Sequence, residues 1–528
     1  MPQKITDIFV AGGGVNGVAI ARDAVGRGLT VRLAEMGDLG GATSSASTKL
    51  FHGGLRYLEF FEFGLVRHAL EEREVLLRAM PHISWPMRFV LPYRSDMRFD
   101  TATPTSRLLG TVMPWMKGRR PGWIIRLGLF LYDHLGKRTL LPGTRTLNLA
   151  TSPEGEPLKS GFRTAYEYSD CWVEDSRLVS LSARDAAERG AEILARVKVV
   201  SAKRTDEVWT IETEDKETGA RETFQAKTFI NAAGPWVGHM IREEIGMESR
   251  ENVRLVRGSH IVTSKLYDHD KCYFFQGTDG RIIFAIPYET DFTLIGTTDV
   301  EHDGNPSEAV ASEEEQDYLC AFASEYFERP VTRDDIVWTF SGVRPLYDDG
   351  AKSATAATRD YVLSYDDSAA PLLSVFGGKI TTHRKLAEQA VDKVVAAFPN
   401  AGRPWTAEAP LPGGDFAVDG FDTLVTALNA AHAYLPAALA RRLVRAYGTD
   451  AEKMLAGATA LSDLGHDFGA GLFEREVRWL MEHEFAATAD DVIWRRTKLG
   501  LRLSTDAVAA LDAWMKDNRR PRRMAAAE

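Results

Sequence analysis

Gly12, Gly14 and Gly17, in "FVAGGGVNGVAIARDAVGRG", stand at G-x-G-x-x-G spacing. This spacing suits a strand-to-helix turn. The first glycine permits the turn, the second admits an anionic group to the backbone, and the third lets helix and strand close up. The free N–H groups and dipole of the helix N-terminus favour phosphate there. An acid about 20 residues further on reaches the ribose hydroxyls of a bound nucleotide. Glu35, in "LTVRLAEM", fills that place, and Asn16 lies inside the loop itself. The chemistry is the binding of a dinucleotide.

A second stretch, "GATSSASTKLFHGGLRYLE", begins at residue 41. It carries Thr43, Ser44, Ser45, Ser47 and Thr48 ahead of Lys49, Leu50, His52, Gly53, Gly54, Arg56 and Tyr57. It is too polar for a core strand and too rich in Ser and Gly for a helix. Ligands of open α/β sheets lie at the carboxyl ends of the strands. Residues 41–57 follow the second strand, so they are placed to run from the cofactor's phosphates toward its reactive ring.

The elements that must hold these residues are those of an ordinary globular chain. Apolar residues make up 44% of the 528 and charged residues 26%. A prior of roughly 150 residues per domain gives about three domains, or two large ones. The net charge of −10 does not favour nucleic acid as a partner. Cys171, Cys272 and Cys320 are far apart, with no zinc or iron–sulfur spacing and no metal site to expect. The N-terminus lacks signal-peptide architecture, and no apolar run approaches a membrane span. The expected location is cytoplasmic, or on a membrane surface from that side.

Together, "AGGGVNG", "TSSASTKLFHGGLRYLE", "VWTFSGVRPL" and "APLLSVFGGKITTHRKLAE" resemble the FAD-dependent glycerol-3-phosphate dehydrogenases, of the bacterial aerobic, respiratory type. The resemblance runs from about residue 5 to beyond 500, with "LSDLGHDFG" and "DDVIWRRTKLG" matching near the end. Ala11 and Ala19 stand where a bulkier aliphatic and a glycine are usual. His383 replaces a usual Tyr, and the segment 96–120 is longer than typical.

The resemblance implies FAD held by Gly12, Gly14, Asn16, Gly17, Glu35, Thr43, Ser44, Ser45, Ser47, Lys49, Leu50, His52 and Gly53. It adds Val199 in "RVKVV", Ala233 and Gly234 in "INAAGPW", and Gly378, Lys379 and Thr381 in "GGKITT". It implies oxidation of sn-glycerol 3-phosphate at C2 to dihydroxyacetone phosphate, with electrons passed to a membrane quinone. A phosphate dianion needs several Arg or Lys donors. Arg56, Tyr57, Arg344, Arg359 and Lys379 are the implied substrate contacts. Arg344, with either His260 or His52, is the implied proton-accepting pair. A homodimer is also implied. The competing readings are an O2-using oxidase, the flavin subunit of an anaerobic complex, and a non-catalytic flavin-binding membrane module.

The expected architecture is α/β. A Rossmann-like FAD domain (1–80, 165–240, 340–398) carries an interposed mixed or antiparallel substrate-cap sheet (81–164, 241–339). A linker over 399–415 leads to a helical C-terminal domain over 416–528. Within the cap, 108–138 reads as a basic amphipathic segment facing anionic lipid, with Trp123 at the interface and Arg119, Arg120 and Arg126 among its cations.

Overall fold

A computed structural model describes residues 5–95, 104–105, 111, 121–136, 138–277, 281–348 and 360–519. Arg359, Arg119, Arg120 and most of 96–120 lie outside the described residues.

Thr6–Ala11 is flanked by Val31–Glu35 on one side and the end of Arg221–Asn231 on the other, all parallel. Glu192–Ala195 and Leu372–Phe376 extend this sheet in parallel, and Val362–Asp366 closes it antiparallel. A strand covered on both faces must be apolar along its length, and Ile8, Phe9 and Val10 are all fully buried. Helices Val15–Gly26, Asp175–Glu188 and His383–Val394 supply Val18, Val179, Ala183, Leu386 and Val391 to one face. Trp209, Phe224 and Val199 cover the other.

Among the described residues the second sheet has ten strands and is mainly antiparallel. Its central pairings join Val253–Ser264 to Phe292–Gly296 and to Ile336–Tyr347. Helix Glu313–Tyr326 packs on one side. Helices Phe63–Ala79 and Gly122–Leu135 contribute Val66, Leu70, Leu129 and Tyr132 to the other. Two boundaries move. Thr164–Val173 and Ile336–Tyr347 pair into this second sheet, whereas the sequence divided the chain at 165 and 340. Thr164–Val173 is buried almost throughout, so its side-chain pattern carries no period to say which sheet it joins.

Between residues 416 and 519 the chain is mainly helical. In Ala437–Tyr447, Leu439, Ala440, Leu443, Val444 and Tyr447 form one buried stripe at helical spacing. They meet Val477, Leu480 and Leu511 in a separate core. The expected linker is a strap tied down along its length. The Gly402 N–H donates to Arg27, Trp405 Nε1 to the Asp23 carbonyl, and the Leu411 N–H to Ala79. Cys171, Cys272 and Cys320 are all buried free thiols. Burial pushes all three up, Cys320 to about 11.

Candidate active site

The glycine loop is shaped as the spacing requires. Gly12 has φ +111°, and a Cβ there would sit 2.5 Å from the Ala232 carbonyl oxygen. A Cβ on Gly17 would sit 1.9 Å from the Gly12 carbonyl oxygen. The helix that follows has no cap from Gly14. Instead the Val15 N–H donates to Ser44 Oγ at 3.0 Å, bringing the hydroxyl-rich stretch onto the loop. Glu35 accepts from the Gly13 and Gly37 N–H groups at 2.6 and 2.8 Å. Burial raises its pKa, the neighbouring Asp38 adds to this, and the two backbone bonds oppose it.

Asn16 donates to the Gly377 carbonyl at 3.4 Å, while its Oδ1 is buried without a hydrogen-bond partner among the described residues. Buried acceptors are rarely left unsatisfied. Ala233 and Gly234 follow the strand Arg221–Asn231, and a Cβ on Gly234 would meet nothing within 4 Å. Glycines whose positions are closed to side chains, a helix start joined to the hydroxyl-rich stretch and an unsatisfied acceptor fit a dinucleotide.

The stretch after Gly41 ties both sheets together. Thr43 Oγ1 donates to the Val343 carbonyl at 2.6 Å, next to Arg344. Ser45 Oγ turns back to Ala42. Ser47 donates through N and Oγ to Asp175 Oδ2 at 3.1 and 2.8 Å. Four of the expected cofactor residues also make contacts inside the protein. The Lys49 ammonium is fully buried on Asp175 at 2.7 Å and the Ser45 carbonyl at 3.1 Å, because a buried cation needs a counter-charge. Leu50 and Val199 place their side chains in cores. Gly53 is small to clear Leu70 and Tyr132, whose Oη accepts its N–H at 2.7 Å.

On the substrate side, His260 Nε2 lies 3.0 Å from Thr48 Oγ1, and the ring stacks on Phe340. His260 Nδ1 is buried without a hydrogen-bond partner among the described residues. Burial, then Arg344 and Lys49, pushes His260 well below the usual histidine range, so the ring is neutral. Arg344 sits on the strand beside it and donates to Thr297 Oγ1 at 2.9 Å, to the Thr298 carbonyl at 3.3 Å, and to Asp299. A Cβ on Gly258 would lie 2.2 Å from Arg344 Nη2, and one on Gly296 2.1 Å from His260 Cδ2. These two glycines clear the space those side chains fill.

Lys379 Nζ rests 4.0 Å above the Tyr57 ring, a cation–π contact. Arg56 and Tyr57 are half-buried on the short turn Leu55–Phe60. The His52 N–H meets Thr381 Oγ1 at 3.3 Å. The structure therefore joins His52, Tyr57, Lys379 and Thr381 at one end of the stretch, and His260 and Arg344 at the other.

Sequence reasoning missed Thr48 as the partner of His260, Asp175 as the hub, and Asp299 on Arg344. Asp175, in "WVEDSRL", signals a helix start but not its partners.

His383 is fully enclosed, with Nδ1 bonded to the Ile380 carbonyl at 2.6 Å, and burial lowers it to about 4. Between about 6.5 and 4 the unfolded chain takes a proton that the folded chain refuses. His383 therefore withdraws stability as pH falls from 7, with no penalty above 6.5. His383→Phe, stacked on Phe51, is expected to flatten the decline in unfolding midpoint between pH 7 and 5, read by denaturant titration at each pH.

A family model described as FAD dependent oxidoreductase matches residues 7–384, and one described as the C-terminal domain of alpha-glycerophosphate oxidase matches 404–517. A D-erythritol 1-phosphate dehydrogenase of Brucella abortus is 48% identical, over 96% of this chain and 97% of its own. An aerobic glycerol-3-phosphate dehydrogenase of Escherichia coli is 45% identical, over 97% and 98%. The crystal structure of a glycerol-3-phosphate dehydrogenase from Bacillus halodurans complexed with FAD is similar at 27% identity and TM-score 0.73, over 98% of this chain and 91% of that one. With the glycine cradle, the two-sheet architecture and these matches in agreement, the chain belongs to the FAD-dependent oxidoreductase family.

Proposed function

We propose that the chain oxidises the secondary alcohol of sn-glycerol 3-phosphate at C2, giving dihydroxyacetone phosphate. The observation that carries this reading is the meeting of His260 and Arg344 with one continuous stretch that also touches the glycine loop. Bound FAD supplies the acceptor for the hydride leaving C2. Gly12, Gly14, Asn16, Gly17, Glu35 and Ser44 would hold its phosphates and ribose, with Ala233, Gly234, Gly378 and Thr381 nearer the ring.

Arg56 and Lys379 bind the phosphate dianion by charge and hydrogen bonding. Arg344 stabilises negative charge developing on the C2 oxygen. His260 accepts the hydroxyl proton at Nδ1, while Thr48 holds Nε2. A base must be neutral to act, and burial keeps this imidazole neutral. His52 orders the turn to Thr381.

The name of the Brucella relative favours a second substrate, a longer polyol phosphate. Anaerobic addition of each phosphate to the holoenzyme, watching the visible flavin band, decides between them. Rapid bleaching by glycerol 3-phosphate supports the reading. Bleaching by D-erythritol 1-phosphate alone transfers it to the second substrate, and bleaching by neither overturns both. Reoxidation by a quinone analogue, faster than by O2, is expected, with a membrane quinone as acceptor.

The protein binds the cytoplasmic face of an anionic membrane as a peripheral homodimer. What supports membrane contact is helix Gly122–Leu135, where Trp123, Leu127 and Phe130 share one face and are 53%, 51% and 55% exposed. Leu129 and Tyr132 anchor its other side. Among the described residues no helix is long and apolar enough to cross a membrane. Shallow insertion of this face with basic flanks is the arrangement to expect. Trp123→Ser with Phe130→Ser and Arg126→Glu should weaken co-sedimentation with phosphatidylglycerol vesicles by about tenfold or more, about 1.4 kcal/mol. Unchanged co-sedimentation would remove the lipid contact.

A further inference from the structure

The helical C-terminal domain reaches the adenosine end of the cofactor site through one acid. Asp38 lies three residues past Glu35, in the turn leading to the hydroxyl-rich stretch. Arg496, fully buried, grips both Asp38 oxygens, at 2.6 and 2.8 Å. Arg495 Nε reaches Asp38 Oδ2 at 2.5 Å. Both arginines are held from behind. Arg496 donates to the Glu484 carbonyl at 2.7 Å, and Arg495 pairs with Asp491 at 2.5 Å.

The turn they grip is wired to the cradle by its backbone. The Gly37 N–H donates to Glu35, the Gly40 N–H to the Gly13 carbonyl at 3.0 Å, and the Gly37 carbonyl accepts from the Arg196 N–H at 2.8 Å. Arg196 in turn pairs with Asp491 of the helical domain. A second contact lies further along, where Lys498 Nζ donates to Ser176 Oγ at 3.1 Å, one residue past the Asp175 that holds Ser47 and Lys49.

We infer that the helical domain is a clasp for the cofactor: Arg495 and Arg496 fix Asp38, which fixes the turn joining the nucleotide-binding acid to the glycine loop, and this slows FAD release. The arginines are positioning residues, acting through Asp38 and the turn. A bidentate guanidinium–carboxylate fork fixes orientation as well as distance, which suits a group whose task is to hold a turn. The charge matters too. Asp38 stands beside a half-buried Glu35 and adds to the rise in its pKa. Two cations on Asp38 oppose that repulsion. The inference rests on the cofactor site and not on the identity of the substrate.

The experiment follows FAD release from holoenzyme after dilution, by the rise in free-flavin fluorescence, with thermal midpoints measured alongside. Arg496→Gln and Asp38→Asn are each expected to speed release by about tenfold to hundredfold, the range for losing a buried charged hydrogen bond. The double variant should release no faster than Asp38→Asn alone, since that variant already removes the contact that Arg496→Gln loses. Arg496→Lys, which keeps charge but not the fork, should fall between wild type and Arg496→Gln. The reference is Arg184→Gln. It breaks another tie to the helical domain, Arg184 to Asp450 at 2.9 Å, away from the turn. It should leave release unchanged even where it lowers the thermal midpoint as much. Wild-type release rates in Arg496→Gln overturn the clasp. So does equal acceleration by Arg184→Gln, or an additive double. If Arg496→Gln does not fold, Asp38→Asn and Arg496→Lys carry the same test.

Discussion

Replacing Arg344 by Met is expected to slow substrate-driven flavin bleaching by about 10²–10³-fold, the usual loss when a donor aimed at developing oxyanion charge is removed. The guanidinium is fixed before substrate arrives. Thr297 Oγ1, the Thr298 carbonyl and Asp299 hold three sides of it, and Gly258 leaves the room it occupies. A preset charge costs little reorganisation during the reaction, so its removal should fall on the rate of bleaching at saturating substrate more than on substrate affinity. Arg344→Lys restores the charge but not the fork, and should recover only part of the rate. Stopped-flow bleaching under anaerobic conditions reads this directly. A variant that bleaches within about threefold of wild type would remove Arg344 from the chemical step and leave it as a wall of the site.

Lys49→Met should cost about 3–5 kcal/mol of stability, the usual result of stranding one member of a buried ion pair. Neither Lys49 nor Asp175 reaches solvent. Asp175 also accepts from Ser47 and from the Ser176 N–H, so the stranded carboxylate would loosen the stretch that joins cofactor to substrate. The double change Lys49→Met with Asp175→Leu should regain much of the loss, because neither member of the pair is then left stranded. Urea unfolding of the three holoenzymes measures this, with visible absorbance reporting flavin occupancy. A loss below about 1 kcal/mol for Lys49→Met would mean that water reaches the pair.

The glycine turn, the acid after the second strand and the helical end domain were legible because each rests on local rules. A Cβ at Gly17 is forbidden by its own neighbourhood, and the stripe in Ala437–Tyr447 is visible in the residue order. What the residue order could not show was long-range pairing. Lys49 among hydroxyls reads as a ligand donor until Asp175 is found beside it. The strand Thr164–Val173 reads as part of either sheet until its partner Ser84–Tyr93 is known. The segment 399–415 has the Pro and Gly of a free linker, yet its backbone and Trp405 are fastened to the first helix and to Ala79. Composition reports what a segment is able to do alone, and here the neighbours decided.

The three sealed thiols have a practical consequence. The thiolate is the reactive form, and burial keeps all three as thiols shielded from reagents and peroxide. The folded protein is thus expected to react slowly with maleimides, Cys320, at 6% exposure, ahead of the other two. A single cysteine placed on the exposed face of Gly122–Leu135, at Leu127, would take a spin or fluorescent label at that site first. The wild-type chain is in this sense already a slow-reacting background, ready for distance measurements between that helix and any second label.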